Sequence, residues 1–141
     1  MDYSINKTTL YNLIDYEVSL AADGAVAQDG TSLYDDVVLS SKDQDEVYRH
    51  IDDAVSSLVA RTSDIATYGT NVISFYVPDI PSGNSSAISN VISRYIALYV
   101  TTEILKARMP GGLVETYAGL TSEAANAVMA ALRTRTAPTR S

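Results

Sequence analysis

Leu10, Leu13, Ile14, Val18 and Ala21 recur at intervals of three and four, with polar residues between them. That period predicts an amphipathic helix over residues 4–22, with Ser4 or Thr8 as N-cap and Gly24 as stop. The pattern then fades. Residues 23–36 are small, acidic and glycine-containing, and Gln28-Asp29-Gly30 marks a turn, so a loop is expected. Periodicity returns in Val47, Ile51, Ala54, Val55, Leu58 and Thr62, a continuous stripe that predicts the second helix. Ser41-Lys42-Asp43-Gln44 reads as its capping box, and Asp43, Asp45 and Glu46 suit the positive end of the helix dipole.

The helical period ends before Gly69. Residues 70–77 (Thr-Asn-Val-Ile-Ser-Phe-Tyr-Val) are β-branched and aromatic and end at Pro78, which predicts one extended segment. A lone strand leaves its backbone groups unpaired, and Val37-Val38-Leu39 is the only internal partner this reading finds. Pairing with a strand of another copy is therefore expected as an alternative. A third helix follows over residues 87–108. Its apolar surface, from Ile88 to Leu105, is wider than one stripe and predicts a central helix, stopped by Pro110-Gly111-Gly112. Residues 113–133 predict a fourth, alanine-rich helix that can break at Gly119.

The expected fold class is thus mainly α, a four-helix bundle-like domain with one or two short extended segments. At 141 residues the chain has the size of one domain, here residues 1–132, followed by a flexible basic tail over 133–141. Apolar residues make up 46% and charged residues 19%, enough to bury a core. No stretch approaches the roughly 20 apolar residues of a membrane span, and the first residues lack the pattern of a secretory signal.

Charge changes the picture further. The net charge is −7, yet residues 1–93 carry four basic against fourteen acidic side chains, and residues 94–141 six basic against three acidic. An acidic front and a basic rear suit head-to-tail association of identical copies.

Candidate chemistry is sparse. There is no cysteine, and His50 is the single histidine, so a metal site would need carboxylates gathered around it; an ordinary interfacial histidine is the simpler reading. Asp35-Asp36 and Asp52-Asp53 are adjacent pairs, and neighbours on a helix diverge by about 100°, which prevents them from flanking one bond. Gly111-Gly112 follows a helix rather than a strand and lacks the lysine of a phosphate loop. No catalytic, cofactor-binding or metal-binding residues are assigned.

Aromatic usage is lopsided, with ten tyrosines, one phenylalanine and no tryptophan. Tyrosine suits surfaces that are wet before assembly and covered afterwards. Tyr11, Tyr34, Tyr48 and Tyr117 lie off the strongest stripes and are candidate partner contacts, with scattered half-buried tyrosines as the plainer alternative. Ile73 and Phe75 join them through the unpaired strand. Arg133, Arg135 and Arg140 form a basic arm for an acidic neighbour or for nucleic-acid phosphates.

Several stretches also resemble a known family. They are residues 34–39 (Tyr-Asp-Asp-Val-Val-Leu), 45–54 (Asp-Glu-Val-Tyr-Arg-His-Ile-Asp-Asp-Ala), 93–100 (Ser-Arg-Tyr-Ile-Ala-Leu-Tyr-Val) and 133–138 (Arg-Thr-Arg-Thr-Ala-Pro). With the order of elements, they resemble the small head-to-tail connector, or neck ring, proteins of tailed bacteriophages, those of gut Bacteroidetes phages in particular. The resemblance implies a structural virion protein assembled in the host cytoplasm. It implies a ring of about twelve copies between the portal protein and the tail or neck proteins, close to packaged DNA, with no catalytic residue. The alternative is a non-enzymatic interaction module, such as an assembly factor or a tail-completion subunit.

Overall fold

The structure, a computed structural model, describes residues 2–23, 39–62, 65–68, 72–76, 85–108 and 112–133. Its elements run β1 (Asp2–Asn6), α1 (Lys7–Asp23), a 3-10 turn (Ser41–Asp43), α2 (Gln44–Thr62), β2 (Ile65–Tyr68), β3 (Val72–Tyr76), α3 (Ser85–Arg108) and α4 (Gly112–Arg133). The fold is mainly α, with four helices among the described residues and a short sheet.

The expected extended segment is β3, and it does not lack partners. It lies at the centre of an antiparallel sheet in the order β1-β3-β2, with Ile5 opposite Ile73 and Tyr68 opposite Ile73 on the other side. Both partners come from this chain, so no second copy is needed to satisfy β3. Of the expected partner strand Val37-Val38-Leu39, residues 37 and 38 lie outside the described residues, and Leu39 is half-buried without regular structure. The alternation is clear across β1 and β3: Ile5 and Ile73 are buried, while the hydroxyls of Ser4 and Ser74 meet on the exposed face at 3.5 Å.

The first helix starts later than its pattern suggests. Residues 2–6 are the edge strand, and α1 begins at Lys7, with Asn6 at the position where asparagine is a favoured cap. Leu10, Ile14, Val18, Ala21 and Ala22 are buried, but Leu13 is not: it faces outward. The stripe of α2 is as expected, with Val47, Ile51, Ala54, Val55 and Leu58 buried. Its cap sits one residue earlier than predicted. The Asp43 carboxylate, not Gln44, reaches back and accepts the Ser40 N–H at 2.8 Å, and the Asp43 N–H donates to the Ser40 carbonyl at 3.0 Å.

α3 is the central helix. It packs against α1, α2 and α4, and from Tyr95 to Leu105 it is buried around nearly its whole circumference. Thr101 and Thr102, buried in that stretch, donate to carbonyls one turn back at 2.7 and 2.8 Å, which satisfies hydroxyls that would otherwise be costly there. α4 runs unbroken through Gly119, whose missing side chain faces open space. It lies against α3, and Thr102 and Thr121 join the two at 3.2 Å.

Arg108, near the C-terminal end of α3, reaches Asp43 at 3.0 Å and Glu46 at 3.4 Å, tying that end to the start of α2. The Ser40 backbone hydrogen bond, aided by Arg108 and opposed by partial burial, holds the Asp43 carboxyl below its ordinary 3.8. A depressed carboxyl stabilises the fold above its unfolded value and loses that contribution as pH falls through the folded one. Asp43→Ala is therefore expected to cost about 1 kcal/mol at pH 7. In parallel urea titrations the difference from the parent chain should shrink below pH 4. A difference that holds constant to pH 2 would show that the carboxylate charge is irrelevant.

Candidate interaction surface

Four of the tyrosines are tied into the fold. Tyr95, fully buried, donates to the Ser57 hydroxyl at 3.2 Å and joins α3 to α2. Tyr117 is buried and reaches from α4 to α1, donating to the Glu17 carboxylate at 3.2 Å. Tyr11 donates to the Ser40 carbonyl at 3.0 Å and ties α1 to the segment before α2. Tyr48 lies under the Lys7 ammonium, 5.4 Å from its ring centre. Burial raises the phenol pKa of Tyr11 and Tyr117, as do the charges of Asp15 and Asp43 on the first and Glu17 on the second. Both remain donors at neutral pH.

These placements revise the expected contact residues. Ile73 is fully buried on the inner face of the sheet, and Tyr117 is closed into the helix packing, so neither is offered to a partner by the folded chain. Phe75 stands in β3 opposite Tyr3 and Ala66, with its side chain outside the described residues. Arg133 ends α4, and its side chain, like Tyr34, Arg135 and Arg140, lies outside them as well. Tyr11 and Tyr48 are brought together. With Thr8 and Gln44 they line a hollow of about 240 Å³ between α1 and α2, its two rings held in place by the Ser40 and Lys7 contacts.

A second surface was not foreseen. Leu13, Tyr16 and Leu20 are the large hydrophobic side chains left exposed among the described residues, at 41%, 63% and 48%. Spaced three and four apart, they form one row along α1. Leu13 also walls a hollow of about 260 Å³ shared with Glu17, Asn90, Arg94 and Ala97. The signal was present in the sequence. Leu10, Ile14, Val18 and Ala21 make a complete core row by themselves, so Leu13 with Tyr16 and Leu20 begins another.

No group of three potential metal ligands occurs among the described residues. His50 stands 3.9 Å from Glu46, one turn away on α2. A hollow between α2, α3 and α4 contains polar groups that satisfy one another: Tyr95 with Ser57, Thr102 with Thr121, and Lys106 with Glu103 at 3.1 Å. Tyr99 in its wall has a phenol pKa raised by burial and by the Glu103 charge. Among the described residues no helix is long and apolar enough to cross a membrane.

Comparison of the chain with protein-family models, curated proteins and solved structures finds no match.

Proposed function

We propose that this chain is a non-enzymatic structural subunit of a virion, forming an oligomeric ring between portal and tail as a head-to-tail connector. The observation that carries the assembly reading is the row Leu13, Tyr16 and Leu20, three large apolar side chains held on a rigid helix in water. A single chain gains nothing from that arrangement, whereas a contact between proteins gains the burial of all three. The uneven charge along the chain supports association of unlike surfaces. The placement between portal and tail comes from the resemblance of residues 34–39, 45–54, 93–100 and 133–138 to connector proteins.

Mass measurement over a wide range of protein concentration, alone and with a phage portal protein, tests the reading. Ring-sized oligomers, or capture of the chain on the portal ring, are expected. A monomer at every concentration that ignores both portal and tail proteins overturns it.

A further inference from the structure

The exposed row and the tyrosine-lined hollow occupy different sides of the same helix. Leu13, Tyr16 and Leu20 repeat at i, i+3 and i+7, and so do Thr8, Tyr11 and Asp15, five positions earlier. At about 100° per residue, five positions turn the helix by roughly 140°, so the two rows face apart. One presents protruding apolar side chains, and the other opens into a hollow walled by two fixed aromatic rings. A protrusion and a socket on opposite sides of one body cannot meet within a molecule or across a two-fold axis. They meet when copies follow one another head to tail, the arrangement that closes into rings.

We infer that the Leu13–Tyr16–Leu20 row of one copy docks into the Thr8–Tyr11–Gln44–Tyr48 hollow of the next, with Tyr16 as the inserted side chain. This inference rests on the assembly reading above and specifies its contact. Charge supports a second copy as the occupant. Arg94 stands exposed on the row's side, beside Leu13, and makes no ion pair among the described residues. The hollow's side carries Asp15, whose charge acts on Tyr11, and Asp45, exposed in the first turn of α2. Glu17, on the row's side, accepts the Tyr117 hydrogen bond. The cations near the socket, Lys7 and Arg108, are already paired with Asp52, Asp43 and Glu46, so Arg94 is the cation left to meet Asp15 and Asp45. Preorganisation supports the socket: the Tyr11 hydroxyl is held by Ser40 and the Tyr48 ring by Lys7, so less freedom is lost when a side chain enters. The tyrosines that the sequence marks for partner contact would then serve twice, clasping their own fold and receiving a neighbour.

The chain has no cysteine, which makes disulfide trapping a clean test. Thr8→Cys and Leu20→Cys in one chain place a thiol at the socket and one beside the inserting Tyr16. Twelve positions apart on one helix, they are separated by about 18 Å, beyond disulfide reach, so any bond formed joins two copies. Mild oxidation is expected to give a ladder of dimers, trimers and higher species from the double variant and almost none from either single variant. Tyr16→Asp, at an exposed position, should leave the helical circular dichroism unchanged and weaken association at least tenfold. Dimers from Leu20→Cys alone, as abundant as those of the double variant, would mean a two-fold contact and overturn the inference. Oligomers that form without a ladder and ignore Tyr16→Asp would overturn this contact and leave the assembly reading standing. A chain that stays monomeric and also ignores portal and tail proteins would end both.

Discussion

Tyr95→Ala is expected to remove about 3–5 kcal/mol of unfolding free energy. Tyr95 is the largest of the fully buried side chains among the described residues and sits at the middle of α3, the helix that the other three surround. Truncation loses the transfer energy of the ring and opens a void that the packed helices cannot close. It also strips Ser57 of its partner, though that hydroxyl is half-buried and can turn to water. Tyr95→Phe separates the two contributions. It keeps the ring and should cost only about 0.5–1.5 kcal/mol, the net value of one hydrogen bond. Urea denaturation followed by circular dichroism measures both. If the two variants proved equally costly, the hydroxyl rather than the ring would be the element that matters.

Lys7 and Asp52 are expected to respond unequally to substitution. The Lys7 side chain is 5% exposed and that of Asp52 41%, and Lys7 Nζ lies 3.0 Å from Asp52 Oδ1, out of line for a good hydrogen bond. Lys7 also opens α1, where the positive end of the helix dipole disfavours a cation. Asp52→Asn therefore leaves a buried ammonium without its counter-charge and should cost about 1–3 kcal/mol. Lys7→Met removes the buried charge and leaves behind an Asp52 carboxylate whose Oδ1 is buried but whose side chain, 41% exposed, can turn toward water. Its expected cost is under about 1 kcal/mol. Thermal unfolding at neutral pH reads the order directly. A Lys7→Met variant less stable than Asp52→Asn would mean that the cation over the Tyr48 ring contributes more than the ion pair.

The helices were legible because they are long and periodic. The stripe of α2 and the all-round apolar surface of α3 have a direct physical counterpart in burial. The sheet was legible only in its central strand, whose β-branched and aromatic residues stand between Gly69 and Pro78, a contrast that β1 and β2 lack. Tyr3 and Ile5 alternate in β1 but are too few to outweigh the helical period that follows. Ile65-Ala66-Thr67-Tyr68 stands just before Gly69, the setting of a hairpin, yet its strand content is modest beside β3. Misplacing Leu13 had a different cause. Its spacing of three from Leu10 fits one helix row as well as another, and only the rest of the row, Tyr16 and Leu20, decides between them. Tyrosine chemistry is equally ambiguous from sequence: a phenol off the apolar stripe can clasp a neighbouring helix, as Tyr117 does, or face outward, as Tyr16 does.

The sheet also orders events in time. Its register joins Ser4 to Ser74 across seventy positions of chain, whereas β2 and β3 are near neighbours. On a ribosome β1 emerges before the other two strands of the sheet and waits for its partner through the making of α1, α2 and β2. During that interval Ile5 has no sheet to bury it, and the newborn chain carries an unsatisfied strand beside its outward-facing row of leucine and tyrosine. The β1–β3 pairing is thus the long-range closure of the sheet, the one that costs most in loop entropy.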